Sequence, residues 1–150
     1  MTPKKILVPT DYSPSSKLAL QYAVTLAAAF HSKVHVFNAW EVPPYLRPDL
    51  TVWVGDVSTT LSIHACAEAQ KGMREFLADA KVEESENLTS TVVNGAPYAT
   101  ILSLAKEGSF DLIAMGTHGR TGVAHLVLGS VAERVSTPAA PPERRSSKAA

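Results

Sequence analysis

The chain has few cysteines, no net charge and no long apolar run, and each of these absences excludes a class of protein. It contains a single cysteine, Cys66, in 150 residues, which excludes a disulfide-stabilised secreted scaffold. Its formal net charge is zero, with 14 basic and 14 acidic side chains, so it lacks the positive excess that binding to nucleic acid or an anionic membrane requires. No apolar run approaches the roughly 18 residues of a membrane-spanning helix. We therefore expect one globular domain in a reducing compartment, the cytoplasm, with neither nucleic acid nor membrane as a partner.

The composition changes near the end of the sequence. From Thr137 onward three prolines, three basic side chains and no aliphatic residue larger than alanine replace the mixed apolar pattern. A segment of this composition cannot bury enough apolar surface to order itself. We expect a single domain over residues 1–136 and a disordered tail over residues 137–150. Removing the three basic and one acidic side chain of the tail leaves 11 and 13 in the body, which is therefore slightly acidic.

Short β-rich runs alternate with longer stretches at helical spacing. The runs predicted as strands are Lys4–Val8, Lys33–Ala39, Leu88–Val93 and Phe110–Met115. Four helices are predicted. The first begins at Ser13-Pro14, and the others cover Leu61–Ala80, Pro97–Gly108 and Val127–Val135. Strands separated by helices of this length pair in parallel through right-handed crossovers. The predicted fold class is α/β, an open parallel sheet with helices on both faces.

Two segments are assigned by local signals. In the first helix, large apolar residues recur every four positions, and this face is predicted to pack on the sheet. Its members are Leu18, Tyr22, Leu26 and Phe30, flanked by Ala19, Ala23 and Ala27. Residues 40–57 contain three prolines and a glycine and are predicted to form a long irregular connection.

A glycine-rich loop after the fourth predicted strand indicates where the chemistry lies. Gly116, Gly119, Gly122 and Gly129 fall within fourteen residues, and glycines let backbone N–H groups approach an anion closely because no Cβ intervenes. Ser130 near the start of the last predicted helix adds a hydroxyl to a positive dipole end. In an open parallel sheet, ligands bind outside the carboxyl ends of the strands. The pattern therefore predicts a phosphate site.

These residues resemble the nucleotide-binding branch of the universal stress protein family. That branch carries Gly-x2-Gly-x9-Gly-(Ser/Thr) and an early hydrophobic-Val-Pro-Thr-Asp segment. The matching positions are Gly116, Gly119, Gly129 and Ser130 for the first motif and Leu7-Val8-Pro9-Thr10-Asp11 for the second. The stretch from Met115 to Arg120 is also similar to family sequence, and the resemblance covers about residues 3–136 in order and spacing.

The resemblance implies a five-stranded sheet of order 3-2-1-4-5 with an adenine-nucleotide site between strands 1 and 4. The ligand implied is ATP or AMP, with Mg²⁺ left open. The residues implied to form the site are Pro9, Thr10, Asp11, Ala39, Met115, Gly116, His118, Gly119, Arg120, Gly129, Ser130 and Val131. Asp11 would lie near the base and ribose, Ala39 would meet the adenine edge through its backbone, and residues 129–131 would hold the phosphates.

The motifs favour a binding protein over an enzyme. No Walker lysine motif and no Gly-x-Gly-x2-Gly after the first strand occur, which excludes P-loop ATPases and dinucleotide dehydrogenases. The histidines show no metal-ligand spacing. We expect a stress-response regulator or switch whose nucleotide occupancy changes its conformation or partners, with little turnover. Two alternatives stay open: slow ATP hydrolysis assisted by His118 or Arg120, and a dimeric interaction protein that binds no nucleotide.

The sequence departs from the family at its end. Family members usually add a fifth, apolar strand that forms the dimer contact. Nothing after Val135 supplies the β-branched residues or ladder donors of a strand. The sheet is therefore predicted to have the order 3-2-1-4 with the fifth strand missing. A homodimer stays open, but one formed through that strand is not expected.

Overall fold

The computed structural model of the chain describes residues 2–117. In chain order its elements are β1 (Lys5–Pro9), α1 (Pro14–Phe30), β2 (Lys33–Trp40), β3 (Thr51–Val54), β4 (Val57–Thr60), α2 (Leu61–Asp79), β5 (Leu88–Asn94), α3 (Pro97–Glu107) and β6 (Leu112–Ile113). Strands β5, β2, β1 and β6 form one parallel sheet in that spatial order. Counted along the chain these are the third, second, first and fourth predicted strands, so the predicted fold class and strand order are confirmed.

Two apolar clusters cover the two faces of the sheet. The larger lies under α1 and α2, where Leu20 and Phe76 pack on alternate residues of β1 and β2 such as Val8 and Val36. The smaller lies under α3, where Ile101 packs on residues of opposite parity in the same strands. Because side chains alternate across a strand, central strands that are buried on both faces are apolar almost continuously.

One polar side chain of β2 faces the α3 side of the sheet. Both ring nitrogens of His35 lie within hydrogen-bond distance of threonine hydroxyls on β5, 2.8 Å from Thr89 and 3.0 Å from Thr91. Burial lowers the pKa of the His35 imidazole, and the nearby Glu84 carboxylate opposes that effect. The histidine is therefore favoured in its neutral form in the folded protein.

Helix α1 begins as predicted but presents a different face to the sheet. Ser13 caps it by accepting from the backbone N–H of Ser16, and Pro14 follows at the first helical position. The prediction is wrong for the large residues of the face, since Leu18 is 50% exposed and Tyr22 is 68% exposed. Of the flanking alanines, Ala23 is buried and Ala27 packs against the core. The buried residues are Ser16, Leu20 and Ala23.

The rotation of α1 has a local cause. The hydroxyl of Ser16 lies 2.8 Å from that of Thr10 at the end of β1, and both residues are buried. This contact turns Ser16 toward the sheet, and Leu20 and Ala23 follow it at positions four and seven residues on. Twelve of the seventeen residues of the helix are apolar and they occupy more than one face, so the periodicity alone allowed either face.

The segment predicted as an irregular connection also differs. Residues 51–60 form an antiparallel hairpin in which Val54 pairs with Val57 across a two-residue turn. Gly55 at the first turn position has φ 61°, the left-handed conformation that such turns require and that glycine adopts at little cost. The prolines at positions 43, 44 and 48 precede the hairpin and do not interrupt it.

The fourth predicted strand is shorter in the structure. Leu112 and Ile113 pair with β1, and the N–H groups of Asp111 and Ala114 on either side donate to the Lys5 and Leu7 carbonyls at 3.0 and 2.9 Å. Phe110 and Met115 lie outside the paired residues and pack into the cluster under α3. Within residues 2–117 no helix is both long and apolar enough to cross a membrane. The predicted helix over Val127–Val135, the missing fifth strand and the tail lie outside the described residues.

Candidate functional site

The carboxyl end of β1 is held by a buried network of hydroxyl groups. Thr10 Oγ1 lies 2.8 Å from Ser16 Oγ and accepts from the backbone N–H of Tyr12 at 2.9 Å. Ser16 Oγ also donates to the Ser13 carbonyl at 2.9 Å. Thr10 therefore shapes the loop from within by a local bond to the backbone two residues on, the ST turn that short polar side chains form outside helices.

The side chains of Asp11 and Asn38 hold the loop that follows β1. Asp11 Oδ1 accepts from the backbone N–H of Ser13 at 3.0 Å, the pattern of an Asx turn. Asn38, buried on β2, donates from Nδ2 to the Thr10 carbonyl at 2.9 Å. The Asp11 carboxylate is thereby placed at the rim of a cavity, while the amide of Asn38 closes the gap between the two strands.

The peptide groups of Ala39 point past the end of β1. On β2, odd-numbered residues bond toward β1, since Thr10 N–H donates to the Phe37 carbonyl at 2.8 Å. Even-numbered residues bond toward β5, since Gly95 N–H donates to the Trp40 carbonyl at 2.9 Å. By this alternation the N–H and C=O of Ala39 face the β1 side. Because β1 ends at Pro9, opposite Phe37, Ala39 presents a donor and an acceptor to the space next to Asp11.

Tyr12 forms the wall of this space toward α2. Its hydroxyl donates to the Ala69 carbonyl at 2.6 Å, and its ring centroid lies 5.7 Å from that of Phe76. The backbone of Tyr12 has φ 66°, a left-handed conformation that costs energy for a residue with a bulky side chain. Gly72 makes room for the ring, because a Cβ there would lie 2.6 Å from Tyr12 Cε2.

Together these elements enclose a cavity of about 630 Å³ at the carboxyl ends of β1 and β2. Its walls are the β1 end, the β2 end and one face of α2. The lining residues are Asp11, Tyr12, Asn38, Ala39, Trp40, Glu41, Ala65, Glu68, Ala69, Lys71, Gly72 and Glu75. Four of these carry carboxylates against one lysine, and that lysine lies 3.9 Å from Glu75. The cavity is therefore negatively charged.

On the other side of β1, the chain leaves β6 against the first turn of α1. A Cβ at Gly116 would lie 2.5 Å from Ser15 Oγ and 2.8 Å from both the Ser15 carbonyl carbon and the Ser16 nitrogen. Glycine is needed at position 116 because the helix backbone itself occupies that space. Met115, just before it, packs into the cluster under α3.

The structure brings some of the predicted site residues together. Pro9, Thr10, Asp11 and Ala39 meet at the ends of β1 and β2, and Met115 and Gly116 lie across β1 from Ala39. The predicted residues His118, Gly119, Arg120, Gly129, Ser130 and Val131 lie outside the described residues. Of the predicted phosphate-binding segment, the structure therefore describes Met115 and Gly116 but not the residues after position 117.

Several residues that line the cavity were not predicted from the sequence. Tyr12, Asn38 and Trp40 line the cavity, but their side-chain types are common at strand ends and gave no pattern. Gly72 did carry a signal, since a glycine inside an apolar helical repeat often marks close packing. Among residues 2–117 no cluster of three or more His, Cys, Asp or Glu side chains could hold a metal ion.

An open parallel sheet with helices on both faces places the chain in the doubly wound class of α/β proteins. The strand order reverses between β1 and β6, and the cavity lies next to that point, at the carboxyl ends of β1 and β2. The chain matches the model of the universal stress protein family over residues 2–140. It is 32% identical over 133 residues to universal stress protein MJ0531 of Methanocaldococcus jannaschii, covering 88% of this chain and 75% of that one. The chain belongs to the universal stress protein family.

Solved structures agree with the fold. The universal stress protein UspA from Lactobacillus plantarum superposes with a TM-score of 0.67 at 24% identity, covering 88% of this chain and 89% of that chain. A universal stress protein in complex with cAMP superposes with a TM-score of 0.62 at 24% identity, covering 90% of each chain.

Proposed function

We propose that the protein binds an adenine nucleotide, ATP or AMP, at the ends of β1 and β2 and acts as a nucleotide-dependent switch in stress response with little turnover. The observation that carries this proposal is the Ala39 peptide, which faces the cavity beyond the end of β1 next to the Asp11 carboxylate. An adenine edge presents a donor and an acceptor, and a peptide N–H and C=O complement it. The cavity, about 630 Å³, lies within the usual range of about 300–1,000 Å³ for small-molecule sites.

The ribose would lie against Asp11. An ionised carboxylate is an acceptor with several lone-pair positions, so it can serve the Ser13 N–H and ribose hydroxyl donors together. Trp40 lines the same cavity, and an indole ring is suited to stack on a base. The family member solved with cAMP supports the proposal, since cAMP is also an adenine nucleotide held by this fold.

The charge of the cavity sets the orientation of the ligand. Four carboxylates against one lysine disfavour phosphate groups there. The base and ribose would occupy the cavity, and the phosphates would extend across the β1 end toward Gly116 and the glycine-rich segment after it. Magnesium chemistry and the role of His118, Gly119, Arg120, Gly129, Ser130 and Val131 stay predictions from the sequence.

A fluorescence titration tests the location of the site. The chain has two tryptophans, and Trp53 lies on the hairpin, so Trp53→Phe leaves Trp40 as the reporter of the cavity. We expect a saturable change in Trp40 emission with ATP and weaker binding after Asp11→Asn. Glu107→Gln, at the far end of α3, is the matched control and should bind as the parent does. Equal affinities in all three proteins would place the nucleotide elsewhere.

A second titration tests the orientation. Glu68→Gln removes one negative charge from the cavity wall, which should tighten ATP binding by about twofold, the effect of a screened charge about 10 Å from the phosphates. Adenosine carries no phosphate, so its affinity should not change. An equal gain for both ligands would mean that the phosphates do not lie on the side proposed.

A further inference from the structure

Asn38 brings a buried polar side chain to the wall of the cavity at the ends of β1 and β2. The side chain follows those of Val34 and Val36 on the face of β2 that packs under α1 and α2. It is 7% exposed and lines the cavity. Burying an amide costs free energy unless its polar atoms are bonded, so the nitrogen and the oxygen of this side chain each need a partner.

The nitrogen of the Asn38 amide has its partner within the protein. Nδ2 donates to the Thr10 carbonyl at 2.9 Å. This bond fixes the orientation of the amide, because the reverse orientation would place Oδ1 against the Thr10 carbonyl oxygen, and two acceptors do not form a hydrogen bond. Oδ1 is therefore turned away from that carbonyl.

The oxygen of the Asn38 amide is available to a ligand. Within residues 2–117 no protein group donates to Asn38 Oδ1. In the same part of the chain, no side-chain nitrogen or oxygen that is sealed from solvent lacks a hydrogen-bond partner. Oδ1 is therefore open to solvent, and the open space that this side chain borders is the cavity. An acceptor with a free lone pair thus faces the place proposed for the base.

Adenine carries a group that needs such an acceptor. Its 6-amino group has two hydrogens, and the Ala39 carbonyl accepts one of them while the Ala39 N–H donates to the neighbouring ring nitrogen. A second hydrogen without an acceptor in an enclosed site would cost free energy. The ribose hydroxyls have the Asp11 carboxylate as their acceptor, so the amino group is the donor that still needs a partner.

We propose that Asn38 Oδ1 accepts the second hydrogen of the 6-amino group, which makes Asn38 a specificity-determining residue for adenine. This inference rests on the nucleotide site proposed above. A base with a carbonyl oxygen at position 6, such as guanine or hypoxanthine, would place that oxygen against Oδ1, where no bond can form. Asn38 then has two roles, since Nδ2 holds the loop after β1 and Oδ1 distinguishes the base.

The test compares ATP with purine riboside 5′-triphosphate, which has hydrogen in place of the 6-amino group, in calorimetric titrations of the intact chain. The parent should prefer ATP by about ten- to hundredfold, the effect of two neutral hydrogen bonds. Asn38→Leu should reduce this preference by about three- to tenfold, the effect of one. Asn87→Leu, exposed at the opposite end of the sheet, is the matched control and should keep the parent preference. An unchanged preference in Asn38→Leu would mean that Asn38 only holds the loop, and would overturn the proposal.

Asn38→Asp separates the two roles in a variant of nearly the same shape. An oxygen faces the cavity whether the new carboxyl group is ionised or protonated, and both ligands carry the same triphosphate. Their affinities should therefore change by a common factor, and the preference for ATP should stay within about threefold of the parent value. Loss of the preference in this variant would contradict the role of Oδ1.

Two further outcomes locate a failure. Asn38→Leu should weaken ATP and 2′-deoxy-ATP equally, and a loss confined to ATP would place Oδ1 at the ribose and refute the proposal. ATP binding by the parent with no preference over the analogue would refute the role of Asn38 and leave the nucleotide site intact. An absence of saturable ATP binding by the parent would refute the nucleotide site and this inference together.

Discussion

Gly72 and Tyr12 provide a test of how the wall of the cavity is built. In Gly72→Ala the new Cβ would lie 2.6 Å from Cε2 of the Tyr12 ring and 3.0 Å from Cδ2. The ring cannot move away freely, because its hydroxyl is bonded to the Ala69 carbonyl at 2.6 Å and its face contacts Phe76. Overpacking of this kind costs about 1–3 kcal/mol.

An opposite effect comes from the helix itself. Alanine in the middle of α2 is favoured over glycine by about 1 kcal/mol. In the parent protein the clash should outweigh this gain, so Gly72→Ala should destabilise by about 1 kcal/mol, a fall in melting temperature of about 2–4 °C for a domain of this size. In a Tyr12→Ala background the clash is absent, and the same substitution should stabilise by about 1 kcal/mol.

The assay is urea unfolding of the parent, both single variants and the double variant. The coupling between the two positions in this cycle should be about 1–3 kcal/mol, as for residues in direct contact. A change of sign between the two backgrounds is the expected result. If Gly72→Ala changes the free energy of unfolding by the same amount with and without the Tyr12 ring, the ring does not occupy the space that glycine leaves.

Three further predictions concern single residues. Burial lowers the pKa of His35 below its ordinary value of 6.5, so the unfolded chain binds protons more readily than the folded one. The stability present above that pH is therefore lost as the pH falls below it, and His35→Gln should flatten this pH dependence of the free energy of unfolding in urea. Asn38→Leu leaves a buried backbone carbonyl without its amide donor and should lower the free energy of unfolding by about 1–3 kcal/mol. Gly116→Ala should also lower the free energy of unfolding in urea by about 1–3 kcal/mol. Adding Ser15→Ala should not restore stability, because the Ser15 and Ser16 backbone atoms would still lie 2.8 Å from the new Cβ.

Local signals in the sequence predicted the elements on which the site is built. The pair Ser13-Pro14 predicted the start of α1, and the capping bond is present in the structure. The right-handed crossover predicted parallel pairing, the family resemblance implied the order of the strands, and the sheet has that order. Asp11 and Ala39 were placed at strand ends by the same reasoning, and both line the cavity.

The features that could not be predicted depend on contacts between distant residues. Helix α1 is apolar on more than one face, and the contact of Ser16 with Thr10, which turns one of these faces toward the sheet, gives no local signal in the sequence. The hairpin turn at Gly55-Asp56 had a recognisable signal between β-branched residues, but the prolines before it favoured an irregular connection. The wall formed by Tyr12 and Gly72 joins residues 60 positions apart, beyond the reach of any local pattern.

Calorimetric titration of the intact chain with ATP, with and without Mg²⁺, tests the central proposal most directly. The geometry at Ala39 and Asp11 predicts saturable binding at one site per chain, weakened by Asp11→Asn and unchanged by Glu107→Gln. Heat that never saturates, or the same affinity in all three proteins, would contradict a nucleotide site at the ends of β1 and β2.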